Sequence, residues 1–426
     1  MSWQPTAALL RVSILPAALA LVAVLARRVD LLVVAAPLAL AALPLLHRPG
    51  GAPAATLEVS EETPAEGSAL QAVVRVDGVA GAETVTATAP ASGWVRARGR
   101  TALGAVVRPR GDTAVLPFDL TAARWGRAEV GPAVVSASAA GGLLRWGPAV
   151  LPAARLRVFP LSERYRGSAL VPRARGGIGL HRSPRPGESA ELAGIRAFAP
   201  GDRMRRVNWR VSLRAGELHV NATTSERDAD VLLLLDARYD AGVSGGLAGR
   251  ASGIDTAVRA TAALTAFYLQ LGDRVGLIAC GGQTRRLPAR AGRGQLQTVQ
   301  TALLDVSAPR LGGAEPDLPE PVGVDPRALV LVVSPLVGRL VFDRAAALGR
   351  AGHAVVVLDT LPDDAAPAEP GPWTAPALRL WRLERATRID QLRALGVPVV
   401  RWQGEASLDQ TLLELTRVAS RTGGRR

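Results

Sequence analysis

The chain has 426 residues and carries 51 Lys+Arg against 37 Asp+Glu, so its formal net charge at pH 7 is +14. That length indicates two or three domains, and a content of 48% hydrophobic and 21% charged residues excludes a disordered or collagen-like chain. The single cysteine, Cys280, excludes an intramolecular disulfide framework, and the four histidines show no metal-ligand spacing. The sequence contains no Lys, which excludes a Walker-type nucleotide site because that motif requires one.

Two apolar runs open the chain. Residues 7–26 are long enough to span a bilayer, and residues 31–46 follow after the polar turn Arg27-Arg28-Val29-Asp30. This pattern predicts a two-helix transmembrane anchor over residues 1–48 and a multi-pass membrane protein whose bulk returns to the side where the chain began. A cleaved signal peptide is the alternative, but it does not explain the second run. Because the chain has one cysteine, we expect the soluble bulk to be cytoplasmic.

Short runs rich in Val, Thr and Ala follow a Pro/Gly/Ala linker. Several of them alternate apolar with polar residues, which predicts a β-sandwich-like domain over residues 55–160. Residues 161–229 are Arg-rich, and the part from 161 to 220 holds twelve Arg and five acidic residues, a net charge of +7. Such a segment can face nucleic acid, anionic lipid or an acidic protein surface, or it can be a solvated linker.

Apolar runs alternate with helical patterns in residues 230–426. Residues 231–235 (VLLLL) are typical of a buried parallel strand, and Ser252 can cap the helix that follows. The predicted strands are 231–235, 274–279, 328–334, 354–359 and 397–402, and the predicted helices are 255–271, 295–306, 342–350, 389–395 and 408–420. This alternation predicts a doubly wound α/β domain, whose ligands are expected at the carboxyl ends of the strands.

Asp236, Arg238 and Asp240 follow the first of these strands. Two carboxylates four residues apart could bind Mg²⁺ through oxygen ligands. Arg238 lies between them in the sequence, and its guanidinium can neutralise both acids without an ion. We therefore favour an internal ion pair over a metal site and expect no cofactor, with Mg²⁺ as the alternative.

Residues 242–246 fit the G-x-S-x-G pattern of a hydrolase nucleophile, with Ser244 as the serine. That motif requires a sharp strand-to-helix turn, whereas here six residues separate the strand from the first glycine and the helix begins only near Ser252. A hydrolase would also need a His and an acid within reach of Ser244. The pattern is more typical of a glycine-rich loop.

A further pattern lies in residues 196–209. Pro200-Gly201 favours a tight turn, Asp202 can cap a short helical turn, and Arg205, Arg206 and Trp209 then share one side. A cationic face beside an indole is typical of a docking surface. The alternative is a structural role, in which Trp209 is buried against the α/β domain and an Arg pairs with Asp202.

These residues carry a family resemblance. Residues 191–198 (ELAGIRAF), Pro200-Gly201-Asp202, residues 205–209 (RRVNW) and the apolar strand that ends at Asp236 resemble the bacterial domain-of-unknown-function 58 (DUF58) family. The family pattern falls on Arg196, Phe198, Gly201, Asp202, Arg205, Arg206 and Trp209. The resemblance implies a two-helix anchor in the bacterial cell membrane, a β-rich segment, the signature and a von Willebrand factor A-like domain. It also implies a MoxR-type AAA+ ATPase as partner and no enzymatic activity.

The chain departs from the metal-binding pattern of von Willebrand factor A-like domains. That pattern has D-x-S-x-S after the first strand and a further Asp after a later one. Here Asp236 keeps the first position, Arg238 and Asp240 stand at the serine positions, and Ser334 stands near the later Asp, so the site is degenerate. The function that follows is a membrane-anchored, non-enzymatic scaffold that docks a protein partner. The alternatives are anionic-lipid or nucleic-acid binding through the Arg-rich segment, and hydrolysis at Ser244.

Overall fold

The computed structural model of the chain describes residues 2–47, 49–91, 93–98, 104–161, 183–186, 192–198, 204, 207–225, 230–309, 328–363, 365 and 371–402. The chain divides into two compact units. The first comprises Met1–Pro160 with Gly246–Ala248, and the second comprises Leu161–Gly245 with Gly249–Arg426. The first unit is rich in antiparallel sheet, and the second contains a mainly parallel sheet and a small antiparallel one.

The first unit begins with a two-residue strand, β1 (Gln4–Pro5), and two apolar helices. Helix α1 (Ala7–Leu25) has 19 residues, and its length of about 28 Å matches a bilayer core of about 30 Å. Helix α2 (Asp30–Leu40) has 11 residues and ends well before residue 46, so its length of about 16 Å is too short to span on its own. One apolar N-terminal helix therefore indicates membrane anchoring, as it would also indicate a signal sequence, and the two-helix anchor is not confirmed.

The rest of the first unit is rich in antiparallel sheet. One sheet has four strands in the order β2-β3-β7-β5, a second has five strands in the order β1-β10-β9-β4-β6, and β8 pairs with β11. These strands are β2 (Ala54–Val59), β3 (Ala69–Asp77), β4 (Ala82–Thr88), β5 (Val95–Ala97), β6 (Ala105–Val107), β7 (Thr113–Ala122), β8 (Gly126–Val130), β9 (Ala133–Ala139), β10 (Leu144–Leu151) and β11 (Ala154–Val158). The sequence-based expectation of a sheet-rich domain here is confirmed.

The alternation of buried and exposed side chains along the strands explains the core of this sheet-rich region. In β3 and β7 every second side chain is buried, which is the pattern of a strand with one face in the core. Val74, Leu116, Val85 and Val135 come from different strands of both large sheets and belong to one apolar cluster. The two sheets therefore bury one face each against a common core.

The described parts of the Arg-rich residues 161–229 include a small antiparallel sheet in the second unit. Its strands are β12 (Ser183–Pro186), β13 (Leu192–Ala197) and β14 (His219–Ser225), in the order β12-β14-β13. A seven-residue helix, α3 (Trp209–Ala215), precedes β14 and ends at Gly216, whose φ of 75° is a left-handed conformation that glycine adopts readily.

The remaining described part of the second unit is an α/β region. Its six-stranded sheet has the order β17-β16-β15-β18-β19-β20, in which every strand is parallel except the edge strand β17. The elements are β15 (Asp230–Asp236), α4 (Gly253–Gln270), β16 (Arg274–Cys280), β17 (Arg285–Arg290), α5 (Arg293–Leu303), β18 (Leu329–Ser334), α6 (Arg339–Arg350), β19 (Ala354–Asp359), α7 (Thr374–Ala394) and β20 (Val399–Arg401).

Three features of the α/β region differ from the sequence-based expectation. Strand β17 was not predicted, because an Arg-rich edge strand with a Pro lacks the continuous apolar run of its neighbours. Helix α7 begins at Thr374, fifteen residues before the predicted start at Ile389, and only Ile389 and Leu392 in it are buried. The predicted helix over residues 408–420 lies outside the described residues.

Candidate functional site

The strand order of the α/β region reverses at β15. The chain passes from β15 to β16 on one side and later returns to β18 on the other side of β15. In open α/β sheets, the crevice outside the carboxyl ends of two such strands is the usual place for a ligand. Asp236 is the last residue of β15 and Ser334 is the last residue of β18, so both lie at this crevice.

The structure brings Asp236, Arg238 and Ser334 together. Arg238 Nε donates to Asp236 Oδ1 at 2.8 Å, and Arg238 Nη2 lies 3.3 Å from Asp236 Oδ2. Ser334 Oγ donates to Asp236 Oδ2 at 2.8 Å. The side chains of the Asp236–Arg238 pair are fully buried, and both carboxylate oxygens accept charge-assisted or hydroxyl hydrogen bonds. The guanidinium therefore supplies the positive charge that a bound cation would otherwise supply.

A second arginine–aspartate pair lies at the end of β19. Arg385 of α7 contacts the Asp359 carboxylate and also donates to the carbonyl oxygens of Pro335 and Leu336, at 3.1 and 3.2 Å. Leu336 has a φ of 52°, an uncommon conformation for a residue with a side chain. Its N–H donates to Ser334 Oγ at 3.0 Å, so Arg385 and Ser334 hold this turn from its two ends.

Asp240 lies further along the loop after β15. It is exposed, and its Oδ1 accepts a hydrogen bond from Ile254 N at 3.1 Å, in the first turn of α4. A carboxylate there is stabilised by the unpaired N–H groups and the dipole of the helix. Ser252 and Asp255 form a capping box at the same helix end, so the loop is closed onto α4 by three polar side chains.

Ser244 lies in the loop between β15 and α4, at the carboxyl edge of the sheet. His353 directly precedes β19, so it lies at the amino edge, about 20 Å away by the length of a six-residue strand. A strand length is far greater than the reach of a hydrogen bond, so His353 cannot serve Ser244 as a general base.

An apolar cleft of about 640 Å³ opens at the carboxyl edge. It is lined by the loops after β15, β18 and β19 and by the first two turns of α7, and its walls include Val243, Val337, Leu361, Trp373 and Trp381. Asp240 is the one charged side chain among the described residues that line it. The cleft can accept apolar side chains.

Across the described ranges, no group of three or more His, Cys, Asp and Glu side chains is arranged to hold a metal ion. At the carboxyl edge, two buried carboxylates already accept hydrogen bonds. Asp236 accepts from Arg238 and Ser334, and Asp359 accepts from Arg385 and from Leu361 N at 3.1 Å. Each of these two carboxylates is therefore paired with a guanidinium group.

The structure describes only some of the seven residues on which the family pattern falls. Gly201, Asp202, Arg205 and Arg206 lie outside the described residues. The backbone of Arg196 belongs to β13 and pairs with Val220 of β14, and Phe198 N donates to Leu218 O at 2.8 Å. Trp209 is the first residue of α3 and is 57% exposed, so it is not buried against the α/β region.

Local hydrogen bonds fix the position of α3. Asn208 caps α3, its Oδ1 accepting from Val211 N at 3.2 Å. Ser212, which is buried, donates through Oγ to Asn208 O at 2.8 Å and accepts from His219 N at 2.8 Å. Ser212 is thus turned inward, whereas Trp209, Arg210, Leu213 and Arg214 are exposed to solvent. We call these four residues the α3 surface.

Sequence reasoning missed three residues of the carboxyl edge, namely Arg385, Trp373 and Trp381. All three belong to α7 or to its first turn. The sequence signal was present, because Trp373, Leu380 and Trp381 lie within a Pro/Gly-bounded stretch rich in Ala, Leu and Arg that is typical of a helix. Their approach to the ends of β18 and β19 depends on the sheet order, which spacing alone does not reveal.

Part of the chain matches a known protein family. Residues 194–372 match the family described as "Protein of unknown function DUF58". The matched range includes α3, the whole of β15 to β19, and the Asp236–Arg238 and Ser334 contacts. The resemblance stated from residues 191–236 is thus confirmed over this range.

Three mycobacterial proteins are similar to part of this chain. Uncharacterized proteins of Mycobacterium bovis and of two strains of Mycobacterium tuberculosis are each 30% identical over 220 residues, which cover 49% of this chain and 65% of the relative. The chain therefore spans just under two thirds of the length of these relatives. The sporulation control protein Spo0M of Bacillus subtilis matches at 15% identity over 27% of this chain and 51% of that one, with a TM-score of 0.15, which is too low to indicate a shared fold.

Proposed function

We propose that this chain, whose residues 194–372 match the DUF58 family, is a membrane-anchored, non-enzymatic adaptor that docks a partner protein. The observation that carries the proposal is the α3 surface, an exposed Trp and Leu flanked by two Arg within the family segment. A MoxR-type AAA+ ATPase is the partner that the family resemblance implies.

The α3 surface has the composition of an interaction site. Trp209 and Leu213 are 57% and 82% exposed and are four residues apart, so they lie next to each other on one side of α3. Arg210 and Arg214 have the same spacing beside them. Trp and Arg are the residue types that most often dominate binding energy at protein interfaces. The partner surface that fits is apolar at its centre and acidic at its rim.

Membrane anchoring by a retained helix is part of the proposal. β1 precedes α1 and pairs with β10, and Thr6 Oγ1 donates to Gly142 O at 3.0 Å. Leu9 and Val12 of α1 pack against an apolar cluster that contains Leu143. A signal peptide is removed from the mature chain, so these contacts favour a helix that stays. α2 would then complete a short helical hairpin, with the soluble bulk in the cytoplasm.

We further propose that the α/β region is von Willebrand factor A-like and binds its partner without a bridging ion. The support is the reversal of strand order at β15, together with Asp236 and Ser334 at the ends of β15 and β18. The Arg238 guanidinium on the Asp236 carboxylate occupies the oxygens that a divalent ion would need.

The test is a binding titration of a purified MoxR-type ATPase with the full chain in lipid nanodiscs. Trp209→Ala should weaken binding by roughly 30-fold, the ratio that corresponds to a hot spot of about 2 kcal/mol. Leu271→Ala is the matched control, because Leu271 is an equally exposed apolar residue, at the carboxyl end of α4, and should leave binding unchanged. Equal binding by the two variants would remove α3 from the interface, and no binding by the unaltered chain would remove this partner.

A further inference from the structure

The turn between β9 and β10, residues 140–143, is held from two sides by the segments that flank the N-terminal helices. On one side, Thr6 Oγ1 donates to Gly142 O at 3.0 Å, and Thr6 N donates to Leu143 O at 2.9 Å. On the other side, Pro44 Cγ lies 3.7 Å from the place that a Cβ on Gly141 would take. The β9–β10 turn therefore contacts the chain just before α1 and just after α2.

An apolar cluster joins the β9–β10 turn to these helices. Its buried members are Ala139, Ala140, Leu143 and Leu144, and the partly buried residues packed against them are Trp3, Leu9, Val12 and Leu45. Because Val12 belongs to this contact, the turn lies alongside about the first 8 Å of α1. Hydrogen bonds and apolar packing thus fix α1 to the sheet, where a flexible linker would leave its depth undefined.

Arg11 indicates the depth at which this part of α1 lies in a bilayer. It is exposed, and it is the one charged residue in α1. A charge is costly among the acyl chains, and an Arg near a helix end avoids that cost by extending its guanidinium to the headgroups. The Arg11 Cα is about 6 Å from the start of α1, and helical side chains lean toward that end. In a chain anchored by α1, the headgroup layer therefore lies beside the first turn of the helix.

We propose that the β9–β10 turn lies in the phospholipid headgroup layer, clamped between the two arms of the helical hairpin. This inference rests on the proposed membrane anchor, because α1 sets the depth of the turn that is fixed beside it. The charged residues near the turn suit a headgroup that carries both a phosphate and an ammonium. Arg11 and Arg145 are exposed and can bind phosphate, and Glu83, the acid that contacts the turn, accepts from Gly141 N at 2.7 Å.

The direction of β10 makes the proposal measurable. β1 runs directly into α1 and pairs antiparallel with β10, with Gln4 opposite Arg145. β10 therefore runs away from the start of α1, and its residues lie farther from the bilayer toward its end. Arg145 and Val150 are both exposed on this strand and are about 15 Å apart by the rise of an extended chain. The first should lie at the headgroups and the second above them.

The experiment uses the full chain in phosphatidylcholine nanodiscs, with a fluorophore on one introduced cysteine. The one native cysteine, Cys280, is buried, so a cysteine at an exposed position is labelled selectively. Arg145→Cys tests the turn, Val150→Cys is the matched control on the same strand, and Ser13→Cys, at an exposed position of α1, reports the anchor. Arg145→Cys leaves the contacts of Thr6 with the turn in place, because those contacts are made to backbone oxygens of the turn.

We expect nitroxides on the lipid headgroups to quench the label at position 145 and not at position 150, and nitroxides on the acyl chains to quench it at position 13. Quenching at position 13 with none at position 145 would leave the anchor standing and overturn the inference. Equal quenching at positions 145 and 150 would mean that the sheet approaches the bilayer without the proposed orientation, and would also overturn it. No quenching at position 13 would instead remove the anchor, and the inference with it.

Discussion

The sheet-rich region and the α/β region bury polar side chains in different ways. Among the described residues of the sheet-rich region, Glu66 is the one buried charged or polar residue. Its strands alternate, so polar side chains face solvent at every second position. The four inner strands of the α/β region, β15, β16, β18 and β19, are buried along nearly their whole length. Their polar residues collect at the carboxyl ends, where Asp236, Ser334 and Asp359 must find partners. Substitutions that break these buried polar contacts should therefore destabilise the α/β region.

Loss of the buried guanidinium has the largest expected effect. Arg238→Ala leaves the Asp236 carboxylate buried without its counter-charge and should lower the free energy of unfolding by about 3–5 kcal/mol. Arg339→Ala is the control, because the side chains of its ion pair with Asp343 are exposed and its loss should cost at most about 1 kcal/mol. Thermal unfolding of the detergent-solubilised chain measures both changes.

A double variant separates the effect of an unpaired charge from the effect of lost side-chain volume. Asp236→Leu with Arg238→Leu removes both charges together and should cost clearly less than Arg238→Ala, since no uncompensated charge remains. A double variant that is less stable than Arg238→Ala would mean that hydrogen bonds such as Ser334 Oγ to Asp236, rather than charge balance, dominate at this edge.

We expect the two regions to lose similar stability when a buried apolar side chain is shortened. Leu116→Ala in β7 and Leu234→Ala in β15 each remove a fully buried side chain, and each should cost about 2–5 kcal/mol. Leu271→Ala, at an exposed position, should change stability by less than about 0.5 kcal/mol. Proteolysis of each variant shows which region opens; a loss confined to one of the two leucine variants would contradict a shared rule of packing.

Much of the fold could be predicted because local patterns match the final environment. The run VLLLL predicts β15, since a strand buried on both faces needs no polar alternation. Strand β17 and the first half of α7 escaped prediction, because exposed Arg residues and Pro288 or Pro376 mask their periodicity. The apolar run to residue 46 predicted a second spanning helix, but α2 ends at Leu40, three residues after Pro37.

Part of the carboxyl-edge site follows from local chemistry and part does not. Asp236 and Arg238 are two residues apart, so a contact between them could be inferred from charge alone. Ser334 is 98 residues from Asp236, and Arg385 is 26 residues beyond Asp359. Contacts over such separations depend on which strands are neighbours, and only the sheet order supplies that information.

Loss of the N-terminal cap of α4, which lies at the same carboxyl edge of the sheet, should have a smaller effect on stability. Ser252→Ala removes the hydroxyl that accepts from Asp255 N at 3.2 Å and should cost about 1 kcal/mol. Ser252→Gly should cost only a few tenths of a kcal/mol by the measured preferences of cap positions. Thr298→Ala, an exposed position within α5, is the matched control and should have almost no effect. A large loss in both Ser252 variants would point to packing rather than capping.

The smallest effects on stability are expected on the α3 surface, and that is what distinguishes it from the carboxyl edge. Trp209→Ala and Leu213→Ala should each change the free energy of unfolding by less than about 0.5 kcal/mol, because both side chains face solvent. Ser212→Ala, on the inward side of the same helix, should cost about 1–3 kcal/mol, since it leaves His219 N without its acceptor. If Trp209→Ala proved as destabilising as Ser212→Ala, the indole would serve folding, and its exposure could no longer support docking.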